Sequence, residues 1–142
     1  MQNPQRRNSM RLSFLFPSAQ REFKGQRWVR IGVRTAHLVA IAFLTGGVAQ
    51  GHAPLELPAA FWGTALTGFA YVGIELFNSG VWLFQLKGQA VVVKTLLLAG
   101  AAAAPDSALP LLVIAIVIGG ISSHMPGRFR YYSLWHGRII KE

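Results

Sequence analysis

WVRIGVRTAHLVAIAFLTGGVAQ, Trp28–Gln50, is the stretch whose reading decides the fold. Its charged residues, Arg30 and Arg34, lie near its start, and from Thr35 to Gln50 there is no Lys, Arg, Asp or Glu. A membrane-spanning helix needs about 20 mainly apolar residues at about 1.5 Å each. This stretch meets that need if Arg30 and Arg34 carry their charges back toward the nearer interface on their long apolar stems.

Three further runs of the same kind follow, read at 58–77, 81–104 and 109–124. Pro58 suits the first turn of a helix, and Asn78, Ser79 and Gly80 read as a stop or kink. The stretch Val81–Gly88 has two readings: an interfacial segment anchored by Trp82 and Phe84, or the first turns of the third helix. Pro105 and the pair Pro126–Gly127 end the last two runs. The expected architecture is all-α, a polytopic integral membrane four-helix bundle. A basic tail (1–27) precedes the bundle (28–124), and a basic interfacial tail (125–142) follows it. Leu12, Phe14, Leu15 and Phe16 suit the first tail to a bilayer surface. No signal peptide is evident, so the first helix is expected to act as an uncleaved insertion signal.

The fourteen Lys and Arg residues divide in one way across this topology. Eight precede the apolar part of the first helix (Arg6, Arg7, Arg11, Arg21, Lys24, Arg27, Arg30, Arg34), two lie near the middle connection (Lys87, Lys94), and four follow the last helix (Arg128, Arg130, Arg138, Lys141). The other two connections, Gly51–Leu57 and Pro105–Ala108, have none. Cytoplasmic loops retain Lys and Arg, so both termini are expected on the cytoplasmic side.

Composition agrees. The 142 residues are 52% hydrophobic and 13% charged, against about 25% charged in soluble domains, and the mean hydropathy is +0.38. The net charge of +9 does not indicate nucleic acid, because the basic residues flank apolar runs, where anionic lipid headgroups account for them. The chain has no cysteine, which excludes disulfides, thiolate metal sites and covalent haem attachment. No nucleophile–base pair, phosphate loop or zinc-protease motif appears, so an enzyme acting alone is not expected.

Ionisable groups at membrane depth need a physical reason. Arg30, Arg34 and His37 share one face of the first helix. Thr64, Thr67, Tyr71, Glu75 and Asn78 form a stripe on the second. Lys94 lies on the third and His124 near the end of the fourth. Glu75 and Lys94 form an expected intramembrane polar cluster, with His37 and His124 at comparable depth. Three chemistries fit: a b-type haem with His37 and His124 as iron ligands and Arg34, Arg128 or Arg130 on its propionates; a quinone headgroup bonded by His and Tyr71, with Glu75 moving protons; or a transition metal on imidazole and carboxylate. Equally, Glu75 and Lys94 neutralise each other, and the histidines bond to backbone or to Ser122 and Ser123. His52, His136 and Asp106 read as surface or turn residues. Ala115, Gly119 and Ser123 on the fourth helix, and Gly63, Gly68 and Gly73 on the second, suit close helix packing.

The fragments RTAHLVAIAFLTGG (Arg34–Gly47) and VVVKTLLLAGAAAA (Val91–Ala104) resemble the copper-resistance protein D type. SSHMPGRFRYYSLWHGR (Ser122–Arg138) resembles the ending of small uncharacterised bacterial four-helix inner-membrane proteins. The resemblance implies a bacterial inner membrane, handling of copper or haem, and interest in His37 and Lys94. The methionines, Met1, Met10 and Met125, supply no Met-rich copper path. The leading expectation is a redox-associated subunit holding haem or quinone near the cytoplasmic face and working with a protein partner. The alternatives are a non-catalytic accessory or scaffold subunit of a larger membrane complex, and metal or small-solute transport.

Overall fold

The computed structural model describes residues 23–78, 80–133 and 138–139. Expectations for the first tail up to residue 22, and for Trp135 and His136, lie outside them. Four long helices dominate: α1 (Gln26–Ala49), α2 (Pro58–Asn78), α3 (Leu86–Ala103) and α4 (Ala108–His124). A short α5 (Gly127–Arg130) leads to a two-stranded antiparallel pair, β1 (Tyr132–Ser133) and β2 (Arg138–Ile139), with Tyr132 opposite Ile139. All four long helical stretches are long and apolar enough to cross a membrane.

The ends of α1 are set by local chemistry. Gly25 enters the helix at φ +84°, and the Phe23 amide donates to Gln26 Oε1 at 3.1 Å. At the far end Gly51 adopts φ +96°. Its amide donates to the Val48 carbonyl at 3.0 Å, and the His52 amide to the Gly47 carbonyl at 3.2 Å. That double closure, with glycine in the left-handed position, satisfies carbonyls a helix end leaves open. A 3₁₀ turn, Pro54–Glu56, then reverses the chain, and the Glu56 carboxylate accepts from the Ala53 amide at 2.8 Å.

Between α2 and α3 the chain departs from both sequence readings of Val81–Gly88. Gly80–Phe84 is a 3₁₀ turn, and α3 begins at Leu86, later than the expected 81. Gln85 is extended and breaks helical continuity. Trp82 turns inward, 2% exposed, and does not stand as an interfacial anchor. Gly88 permits this fold-back, because a Cβ there would lie 2.3 Å from the Trp82 carbonyl oxygen. Gln85 also bridges to Ser133, which ties the β pair to the start of α3.

α1 packs along α2, α3 packs along α4, and α1 also touches α4 to join the two hairpins. The buried apolar core lies at the end holding the Gly51–Leu57 and Pro105–Ser107 turns. It comprises Leu44, Val48, Phe61, Ala101, Ala108 and Leu112. Outward faces stay apolar: Leu38 and Phe43 on α1, Trp62, Leu66 and Phe69 on α2, Leu96 on α3, and Val117 and Ile121 on α4 are exposed. Only 11–17% of residues in the most apolar stretch of each span are buried in the protein. Soluble monomers rarely expose contiguous apolar patches beyond a few hundred Å².

Candidate functional site: a polar seam between α1 and α2

Moving up α1 in steps of three or four residues meets α2 in similar steps downward, because the two helices run antiparallel on either side of a short turn. At the seam's lower end Gln26 Nε2 donates to Asn78 Oδ1 at 2.9 Å, and both residues are buried. One turn up, the Arg30 guanidinium pairs with the Glu75 carboxylate at 3.2 Å. Arg34 next donates to the Tyr71 hydroxyl and lies over its ring, 4.9 Å from the centroid. Above it, His37 Nδ1 sits 3.1 Å from the Thr64 carbonyl oxygen and 3.0 Å from Thr67 Oγ1. Ala40 then meets Gly63, where an added Cβ would lie 3.3 Å away. From there the seam becomes apolar.

The bonds around His37 fix its tautomer. A carbonyl oxygen only accepts, and the Thr67 hydroxyl donates to the Gly63 carbonyl. Nδ1 therefore carries the hydrogen, shared between Thr64 and Thr67, and Nε2 of the neutral ring keeps a lone pair.

Lys94 enters from the other hairpin. Its side chain packs on Gly119 of α4, with Cδ and Nζ at 3.7 and 3.8 Å from where a Cβ would stand. Its ammonium lies in electrostatic range of His37 and Arg34. The level is set by helical repeat. His37, Gly68, Lys94 and Gly119 each lie seven residues from Leu44, Phe61, Ala101 and Leu112 of the core. Seven residues span about 10 Å. A polar layer thus lies two turns below the apolar one, and its two glycines leave room for an imidazole and an ammonium.

The structure distributes the sequence candidates unevenly. Arg34, His37, Tyr71 and Glu75 meet in the seam. Glu75 pairs with Arg30, not with Lys94. His124, the last residue of α4, is exposed, and among the described residues His37 bonds to Thr64 and Thr67 instead. Arg128 is also exposed, its guanidinium 5.2 Å from the centre of the Phe129 ring. Ser122 and Ser123 bond back to the Gly119 carbonyl of their own helix. His52 stands 3.8 Å from Glu56 on the exposed turn. Gln26 and Arg30 are seam members that the sequence reading did not single out as partners. The signal was present in their spacing, because Gln26, Arg30, Arg34 and His37 mirror Asn78, Glu75, Tyr71 and Thr67 about the turn.

For a haem, the residues fit at one position. A ligating histidine commonly donates its second ring N–H to a carbonyl, as His37 does to Thr64. His124 is no part of that seam. The described residues also hold no group of three or more His, Asp or Glu set to share a metal ion. No family model matches the chain, and neither does a curated protein or a solved structure.

Proposed function

We propose that the chain is a four-pass integral protein of a bacterial cytoplasmic membrane, with both termini cytoplasmic, and that it acts as a non-catalytic accessory subunit of a larger membrane complex. The observation that carries this is the use made of the polar residues. Arg30, Glu75, Gln26, Asn78, Thr64 and Thr67 are spent on joining α1 to α2. The outward faces of all four helices meanwhile stay apolar. A bundle of this kind offers lipid-facing and protein-facing surface without a reaction centre. Lys and Arg lie in the two tails, in the first nine residues of α1 and in the first half of α3, and none lies in the Gly51–Leu57 or Pro105–Ala108 connections, which supports the orientation.

The test is assembly. Native electrophoresis of membranes solubilised in mild detergent should find the chain in a species larger than itself. Deleting residues 1–20 should release it, and His37→Ala should leave the species intact. Migration of the wild-type chain as a lone protomer would overturn the accessory role.

A second reading has one specific support, the free lone pair of His37 Nε2. In that reading the chain is a redox subunit binding b-type haem or quinone, with His37 and His124 as ligands and Arg34, Tyr71, Glu75 and Arg128 around the group. A haem would supply one-electron chemistry. The chain's own part would be to hold the imidazole through Thr64 and Thr67. An absorption spectrum before and after dithionite separates the readings. A Soret band that shifts on reduction, and is lost in His37→Ala, would favour the redox subunit.

A further inference from the structure

We propose that Lys94 is the docking point for a partner membrane helix that carries a carboxylate, Asp or Glu, at mid-membrane. The proposal rests on the membrane placement and the accessory role given above, and names the chemistry of the partner. Lys94 is the ninth of the eighteen residues of α3, Leu86–Ala103. At helical rise it stands about 12 Å from one end of that helix and about 14 Å from the other, near the centre of a hydrocarbon layer about 30 Å thick. No headgroup lies at that level, and a lysine stem carries its charge to the interface from helix ends, not from the middle. A cation held there is costly without an opposite charge beside it.

The chain does not supply that charge. Its five acidic residues are Glu22, Glu56, Glu75, Asp106 and Glu142. Glu22 and Glu142 belong to the two tails. Glu56 and Asp106 lie in the turns Pro54–Glu56 and Pro105–Ser107, beside the apolar end of the bundle. Within the four long helices only Glu75 carries a carboxylate, and it pairs with Arg30 at 3.2 Å. Among the described residues Lys94 makes no ion pair and no hydrogen bond, so its three N–H donors have no acceptor there. Its side chain is nonetheless seated, with Cδ and Nζ at 3.7 and 3.8 Å from where a Cβ on Gly119 would stand. A second copy of the chain offers no better acceptor, because its Glu75 is 7% exposed and already engaged. The carboxylate therefore comes from a different chain.

The flank beside Lys94 is open to the bilayer. Lys94 is half-buried, and its sequence neighbours Val93 and Thr95 are exposed. Of the long helices α3 packs along α4, and its Val92 and Leu96 are exposed as well. A helix laid against this flank meets apolar side chains around a single ammonium. Such a surface selects an apolar helix with one acid, since a helix without it leaves the lysine covered and unpaired.

The experiment reconstitutes the labelled full chain in phosphatidylcholine vesicles with a synthetic helix of about 20 leucine and alanine residues. That helix bears Glu at its centre, or Gln in the same place, and energy transfer reads association. The acidic helix should bind the wild type at least about ten-fold more tightly than the amide helix. Lys94→Met should make the two helices equal, and Lys94→Arg should keep the preference. Equal binding of both helices to the wild type, which needs no variant to fold, would overturn the proposal, and so would a preference that survives Lys94→Met. Alone in detergent, Lys94→Met should unfold at the same dodecyl sulfate fraction as the wild type or at a higher one. A lower one would show that Lys94 has an acceptor within the chain, against the proposal. Energy transfer between two labelled copies of the chain that Lys94→Met abolishes would make a second copy the occupant and overturn the choice of partner. Migration as a lone protomer in native electrophoresis removes the accessory role separately, and the vesicle result still decides whether Lys94 selects a carboxylate.

Discussion

Glu75→Gln is the most informative single change in the seam. It keeps the side chain's volume and one accepting oxygen, removes the charge, and replaces the other oxygen with a donating NH2. The Glu75 side chain is 9% exposed and that of Arg30 is 36% exposed. Breaking a fully buried ion pair by losing one partner costs about 3–5 kcal/mol. An exposed pair contributes about 0–1 kcal/mol, and interhelical hydrogen bonds in membrane proteins average about 0.6 kcal/mol. Arg30 reaches the bundle surface, so headgroups or water recover part of its solvation. The expected loss is therefore about 1–2 kcal/mol. Arg30→Gln should cost more than its own exposure suggests, because it strands the deeper carboxylate. The assay is a double-mutant cycle of Arg30→Gln and Glu75→Gln, read by reversible unfolding of the micelle-bound protein with sodium dodecyl sulfate. The double variant should lose less than the sum of the singles by about 1 kcal/mol. Additivity within about 0.3–0.5 kcal/mol would refute the claim that this pair joins α1 to α2.

Other changes test other parts of the same reasoning. Gly88→Ala places a methyl against the Trp82 carbonyl oxygen at 2.3 Å and should destabilise the fold by about 1–3 kcal/mol, seen as a lower midpoint in the same titration. Gly32→Ala meets nothing within 4 Å and should leave stability unchanged or raise it by up to about 1 kcal/mol through helix propensity. Gln26→Ala leaves the Asn78 amide, 2% exposed, without its bond to α1, at a cost of about 1–3 kcal/mol. Hydrogen exchange should then quicken at the start of α1 and stay slow around Leu44.

The four long helices were legible because each run of about 20 mainly apolar residues carries at most two charged ones, and such runs have few other uses. The stripe on α2 was legible too, since Thr64, Tyr71 and Glu75 recur at helical spacing. Which helix it faced was not. Periodicity gives a face and not a neighbour, so depth matches Glu75 to Lys94 and leaves Arg30, its partner in the structure, unweighed. The Pro54–Glu56 turn brings Arg30 to Glu75, because a tight antiparallel hairpin fixes the register of α2 on α1. The Gly80–Phe84 turn was hidden for another reason. Gly88 reads as an ordinary helix glycine until Trp82 is seen folded onto it, and that contact has no local signature. His124 was paired with His37 by depth alone, and depth does not bring two helix faces together.

The layers seven residues apart give the bundle a direction. At one end Leu44, Phe61, Ala101 and Leu112 close the interior with apolar contact. Two turns away the equivalent positions carry His37, Gly68, Lys94 and Gly119, and beyond them lie Arg34, Arg30 and Gln26. An apolar layer tolerates no charge, while a layer with two glycines accommodates long polar side chains. The packing therefore admits cations from one end only. The Lys and Arg residues among the described positions lie on that side of the core. Charge bias and side-chain volume are independent properties of a sequence, yet here they impose the same polarity on the bundle. Moving a cation across the core is a stringent test of that agreement. Leu44→Lys, 0% exposed in the wild type, has no glycine to rest on and no Tyr71 or Glu75 within a turn. It should prevent folding outright, while the same lysine at exposed Ile31, in the turn that holds Arg30 and Arg34, should be tolerated because its stem reaches the inner interface.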